Sequence, residues 1–222
     1  MIDTKVVIRD LVFGMEDGLV SNLGIVLGMY VGGAPSFTIV LAGLASMLAG
    51  AFSMSAGSYL SAKAQREVYE QEINATKEKL RENPQQCLLE MCLLLKEEGF
   101  SKKEVGMMCD HFSRHNNSSF IKNYIQKKVG LSEARFDLPI QNALAMFLAF
   151  VLGSAFPIVP FVLWQNSLAA VIAGGLTVAT LFGVGWLKTI YTQRNPWKSG
   201  LEIVVIGIGA GLMGYVVGLL VG

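Results

Sequence analysis

Charge is what this sequence has least of. Asp, Glu, Lys and Arg make up 16% of its 222 residues, against about a quarter in a typical soluble domain. They also avoid long stretches: none falls in the 45 residues from Gly18 to Ala62, the 50 from Leu138 to Leu187, or the 20 from Ile203 to Gly222. Runs of that length exclude an ordinary soluble chain. Histidine numbers 2 and cysteine 3, and no complete zinc spacing can be drawn from them. No nucleophile constellation, phosphate loop or nucleotide motif occurs, so neither an enzyme nor an ATP-driven machine is expected. The first apolar stretch carries Glu16 and Asp17 and lacks a typical cleavage site, so a cleavable signal peptide is not expected.

What fills the space is apolar: 52% of residues are hydrophobic and Gly numbers 24. A membrane-crossing helix takes about 20 apolar residues, so the three uncharged runs hold two, two and one spans. Gly32-Gly33-Ala34-Pro35-Ser36 breaks the first run, and Pro157 to Asn166 breaks the second, since Gly and Pro punctuate helices. The spans fall near 11–31, 37–62, 138–157, 167–187 and 201–221. The fold class is all-α, a polytopic membrane protein: 1–62 holds spans one and two, 63–137 is a charged helical insert, and 138–222 holds spans three to five. Segments 1–10, 63–137 and 188–200 then share one side and carry 2, 13 and 3 of the 18 basic residues, leaving none for the other. Basic residues stay in the cytosol, which puts the N-terminus and the insert there.

The insert has 13 basic and 12 acidic residues, a mixed surface without the basic stripe that nucleic acid requires. Cys87, Cys92 and Cys109 all lie in it, and cytosolic thiols are expected to stay reduced rather than pair. No Pro occurs from Ser36 to Asn83, so the second span is expected to continue as one helix until Asn83-Pro84 stops it. Shorter helices are expected over 85–98, from a Ser101/Glu104 capping box to about Arg114, and over 117–128. On the long helix Glu67, Glu70, Glu78 and Glu82 fall within an arc of about 120°. That stripe is either a collector of divalent cations or a solvated face with Lys63, Arg66 and Lys79 interleaved. Cys87, Glu90 and Cys92, or Cys109, His111 and His115, are either a softer metal cluster or core cysteines with surface histidines.

Ionisable groups inside a membrane are costly and mark ion paths. Asp10, Glu16 and Asp17 stand at or inside the cytosolic end of span one. Asp10 and Asp17 are seven apart and share one helix face. Carboxylate oxygen attracts Mn(II) or Fe(II) and also titrates, so Asp17 can hold either a metal or a proton. Glu16 faces another way, and snorkelling to water serves it equally well. Met54 in span two would set a thioether opposite Asp17, and mixed oxygen and sulfur ligation discriminates against Mg(II) and Ca(II). Met47, seven residues earlier on that face, has an equal claim, and either serves equally as core packing. Gly24, Gly28 and Gly32, with Gly207/Gly211 and Gly214/Gly218, let spans one and five pack closely against neighbours.

These residues resemble the vacuolar iron transporter family over nearly the whole chain. "RDLVFGMEDGLVSN" (9–22) is similar to the family's first span, and "LAGLASMLAGAFSMSAGSYLSAKAQRE" (41–67) to its second span running into the cytosolic helix. "NALAMFLAFVLGSAFPIVPF" (142–161) resembles the third span and "NPWKSGLEIVVIGIGAGLMGYVVGLLVG" (195–222) the fifth. The resemblance implies a homodimer that exchanges cytosolic Fe(II) or Mn(II) for protons in a vacuolar or bacterial plasma membrane, along a path between subunits. On it Asp10, Asp17 and Met54 match the path residues, and the cytosolic helices match a metal-collecting platform. Ser46 stands where plant-type members carry Glu, and Ser58 where many bacterial members do. Thr76, Lys79, Cys87 and Lys128 stand where the plant-type platform is acidic; Glu90 is kept.

The expectation is therefore a proton-driven secondary transporter of divalent transition metal, with no resident cofactor and with metal ions, protons, lipid and a second copy as partners. Its metal-handling residues would be Asp17, Met54 and Asp10 in the membrane, and Glu90, Cys87, Glu67 and Glu70 in the insert. The alternative is a non-transporting membrane metal-binding or scaffold protein that has lost transport residues.

Overall fold

The computed structural model describes residues 4–114, 118–129, 139–164 and 167–222. Among these the secondary structure is helical: α1 (Thr4–Val31), α2 (Ser36–Glu82), α3 (Pro84–Glu97), α4 (Lys102–Arg114), α5 (Ser118–Val129), α6 (Pro139–Leu163), α7 (Ser167–Leu187), α8 (Thr189–Thr192) and α9 (Pro196–Val221). Five of the described helices are long and apolar enough to cross a membrane, which makes this an integral membrane protein of the all-α class. The chain forms two compact units, Met1–Ala62 with Asp137–Gly222, and Lys63–Phe136.

In the first unit α1 is the helix the others pack on. Added Cβ atoms at Gly214 and Gly218 would run into the carbonyls of Gly24 and Gly28, and one at Gly222 would come within 2.6 Å of the Gly32 Cα. The pairs 24/214, 28/218 and 32/222 advance together, so α1 and α9 run parallel. The other side of α1 does the same with α6: a Cβ at Gly14 would lie 2.9 Å from the Met146 carbonyl, and one at Gly18 would meet the Phe150 carbonyl. Asn22 Nδ2 donates to Ser154 Oγ at 2.8 Å, one turn further along. Between α7 and α9 the pairing reverses, Gly185 against Gly200 and Leu181 against Gly207. Three parallel helices with α7 running against them is the arrangement that five successive spans require. In lipid the hydrophobic effect does not press helices together, so backbone proximity of this kind supplies the van der Waals contact that does.

α2 joins this bundle through side chains. The Phe150 ring fills the space over Gly50, and Ile158 that over Gly43, while Ile39 is buried with Val26, Ile158 and Phe161. Its far face, with Phe37, Leu41, Leu48 and Phe52, is exposed, as a lipid-facing surface should be. The turn before it depends on Gly33, whose φ of 75° is a region that a side chain disfavours.

The third span differs from its expected bounds. Pro157 marks its expected end, but α6 runs through Pro157 and Pro160 to Leu163. Both prolines are almost fully buried. Neighbouring helices hold a buried, proline-bearing membrane helix together, and lipid offers its backbone no better partner. The fifth span also starts earlier than 201: Asn195 Oδ1 accepts from the backbone N–H of Trp197 and Lys198 at 3.0 and 3.3 Å, capping a helix whose first residue is Pro196.

In the second unit the end of α2 meets α3, α4 and α5 around Leu80, Cys87, Met91, Leu95, Phe120 and Tyr124. Gly99 at φ 95° reverses the chain after α3. Ser101 then caps α4, exchanging hydrogen bonds with Glu104 in both directions. This reversal corrects the reading of the thiols: Cys92 and Cys109, 17 apart in sequence, are disulfide-bonded with Cα atoms 6.1 Å apart. The expectation of free thiols came from compartment chemistry, whereas an antiparallel helix pair sets the geometry.

The glycine ladder is directly testable. Gly214→Ala is expected to cost about 1–3 kcal/mol through overpacking and to lower the thermal transition in mild detergent. Gly209→Ala, whose added Cβ meets nothing within 4 Å, should leave it unchanged. Equal effects at both positions would mean that α1 and α9 do not touch as described.

Candidate metal pathway

α1 carries Asp10, Glu16 and Asp17, and Glu202 lies near the start of α9. Asp10 is 2% exposed and both of its oxygens are occupied. Arg9 Nε and Nη2 each lie 3.0 Å from Oδ1, and Ser58 Oγ donates to Oδ2 at 3.3 Å. Ser58 belongs to α2, so this contact fastens α2 to the start of α1. The α1/α6 register seen at 14/146, 18/150 and 22/154 places Asn142 of α6 level with Asp10. Asn142 is 3% exposed and its Nδ2 has no hydrogen-bond partner among the described residues.

Two turns on, Asp17 is half-buried, and Ser21 Oγ donates to its backbone carbonyl at 2.5 Å. Glu16, also half-buried, is attracted by Lys188 just past the end of α7 and repelled by Asp17 and by Glu202 near the start of α9. Met54 is half-buried on α2. Met47 packs against the core of Val26, Ile39 and Ile158, so of the two methionines it is Met47 that serves packing.

A second polar level lies deeper in the bundle. Asn22 and Ser154 are fully buried. Asn22 Nδ2 also reaches the Gly18 carbonyl at 3.2 Å, and Ser154 Oγ donates to the Phe150 carbonyl at 2.7 Å. Among the described residues Asn22 Oδ1 and Thr177 Oγ1 find no hydrogen-bond partner. None of Arg9, Ser58, Asn142, Asn22, Ser154 or Thr177 was singled out from sequence as a functional residue. Only the Ser58 position carried a signal, as a place where related chains hold an acid.

The insert residues are arranged differently. Glu67 and Glu70 pair along the surface of α2 with Lys63 at 3.8 Å and Arg66 at 2.7 Å, and Glu78 and Glu82 are exposed beyond them. Surface pairs of this kind contribute about 0.3–0.5 kcal/mol each. Glu90 is the hub of the unit: Lys128 Nζ lies 2.5 Å away, and Lys79 Nζ and Tyr124 OH each lie 2.7 Å away. The Lys128, Lys79 and Tyr124 hydrogen bonds, in that order, pull its pKa down to about 2, while bonding to Glu90 raises that of Lys79. Burial, and then the bond to Glu90, raises that of the Tyr124 phenol. Cys87 is free but fully buried beside this hub. Cys92 and Cys109 are spent on their bridge, His111 is exposed, and His115 lies outside the described residues. Among the described residues no three of His, Cys, Asp and Glu converge as a metal-holding group.

Comparison with known proteins places these features in context. The sequence profile of the VIT family matches residues 8–219. A rice protein named vacuolar iron transporter 1 is 29% identical over 94% of this chain and 83% of its own. The Arabidopsis thaliana protein of the same name is 28% identical over 90% and 80%. A Toxoplasma gondii vacuolar iron transporter is 29% identical over 95% and 73%.

The Glu90 hub predicts an acid limb. A carboxylate whose folded pKa is depressed contributes stability that is complete above its unfolded value near 4.5 and is lost as pH falls toward about 2. Thermal melts of the whole protein should therefore show the second unit weakening below about pH 4.5. Glu90→Gln should be less stable at pH 7 and show a flatter acid limb. An unchanged limb in Glu90→Gln would show that another carboxylate sets it.

Proposed function

The chain belongs to the VIT family, and on that footing we propose that it is a secondary transporter moving divalent transition metal, Fe(II) and/or Mn(II), out of the cytosol in exchange for protons. The observation that carries this reading is the row of acids on α1, with Asp10 almost fully buried and Asp17 half-buried two turns deeper on the same helix. Charged groups are kept at such depth where an ion path needs them. The relatives' names supply iron; the carboxylates, hard ligands, suit Fe(II) and Mn(II) alike.

In this mechanism a cytosolic ion meets Asp10 first and passes to Asp17, where Met54 adds a soft thioether ligand. Metal and proton compete for the same carboxylate oxygens, so arrival of one expels the other, which is the minimum that exchange requires. The functional unit is a homodimer with the path between subunits, so ligands from two copies of α1 and α2 complete the coordination. The N-terminus and the insert face the cytosol, and the host is a vacuolar or bacterial plasma membrane. The rival, a non-transporting metal-binding or scaffold protein, is favoured by the two lysines already held on Glu90. The retained acids of α1 support transport.

In reconstituted vesicles Asp17→Asn should abolish metal flux while leaving the assembly folded, because an amide suits a polar cavity. Asp17→Glu should retain part of it. Met54→Leu should weaken discrimination against Mg(II) more than it slows Mn(II). Transport by Asp17→Asn at the unmutated rate would remove Asp17 from the pathway.

A further inference from the structure

We propose that Arg9 is a built-in competitor for the metal: its guanidinium occupies Asp10 until a divalent ion displaces it, and so sets the metal concentration at which the pathway loads. This rests on the transport reading for its consequence, and on the side-chain geometry for its substance.

The two partners are placed very unequally. The Asp10 side chain is 4% exposed and the Arg9 side chain 69%. A carboxylate that deep is strongly destabilising when left without a partner. The exposed guanidinium, by contrast, returns to water at little cost. Arg9 therefore stays on Asp10 while no other cation offers, and yields when one does.

The contact also has the form of a replaceable ligand. Nε and Nη2 of Arg9 both fall on Oδ1, at 3.0 Å each. Oδ2 is held separately by Ser58 Oγ at 3.3 Å. An ion arriving at Oδ1 displaces the arginine alone and leaves the serine bond, and with it the α1/α2 contact, in place. The Nδ2 of Asn142, at the same level of α6 and without a hydrogen-bond partner among the described residues, is a donor placed to hold a water that arrives with the ion.

Exchange of one cation for another on a buried carboxylate favours the higher charge. A monovalent ion gains no more from Asp10 than the guanidinium it would replace, and a divalent ion gains about twice as much. Arg9 thus filters by charge as well as by concentration. It is a positioning and specificity residue rather than a ligand.

The test measures Mn(II) binding to the purified whole protein by calorimetry, alongside Mn(II) flux in vesicles. Arg9→Gln should tighten binding roughly tenfold, which corresponds to about 1.4 kcal/mol. The half-saturating Mn(II) concentration should fall by a similar factor, with maximal flux changed much less. Arg9→Lys, which keeps the charge but loses the two-point contact, should shift both in the same direction by a smaller factor, and it serves if Arg9→Gln does not fold. Adding Asp10→Asn to Arg9→Gln should erase the gain. Tighter binding without flux in any variant would sink the transport reading and leave the role of Arg9 standing. Binding that is absent, unchanged or weaker in both Arg9 variants would overturn the proposal.

Discussion

Close approach of α1 to α6 and α9 is the constraint on which the membrane unit depends. Side chains at Gly14, Gly18, Gly28 or Gly214 would push their neighbours away, and without water there is no hydrophobic force to bring them back. A helix gripped on two sides by backbone cannot turn about its axis. That fixes the direction of everything else it carries. Asp10 is held where Ser58 can reach it, and Asn22 where it meets Ser154. The acids are thus displayed from a helix held on two sides, which fixes the direction in which they point.

Each unit settles one buried or half-buried carboxylate with cations from the chain itself, but in opposite ways. Glu90 is clasped by Lys79 and Lys128 from two different helices and by the Tyr124 hydroxyl. Removing any one of these leaves the others, so the cluster behaves as a structural knot. Asp10 has a single cation, on the adjacent residue of the same helix, with a side chain that is largely in solvent. A knot stabilises a fold and a single exposed partner can be exchanged. The difference separates the part of the molecule suited to holding its shape from the part suited to handling ions.

Much of this was legible in the sequence because membrane residence imposes coarse rules. Uncharged runs long enough to cross lipid gave the five spans, and spacing-four glycines in 24–32 and 214–218 pointed to the helices that touch. What failed did so for local reasons. Pro157 and Pro160 look like a stop in one dimension, yet packing around α6 carries the helix through both. The charge boundary at Glu202 hid the true start of α9, which an Asn195-Pro196 cap sets earlier. The bridge between Cys92 and Cys109 depends on how sharply Gly99 folds α4 back, which spacing alone does not reveal. The candidate site was half readable. Its acids announce themselves by their cost, whereas Ser58 and Asn142 are ordinary polar residues until the register between helices brings them level with the buried Asp10.

The central claim is that carboxylates on α1 trade metal for protons. It is tested most directly in vesicles that contain only this protein, loaded with a pH indicator and a metal-sensitive dye. The account predicts that Fe(II) or Mn(II) crosses faster when a proton gradient opposes it, and that each pulse of metal is accompanied by proton movement in the reverse direction. Asp17→Asn should remove both signals together. Metal flux that ignores the gradient and leaves the pH unchanged would contradict exchange at a shared carboxylate.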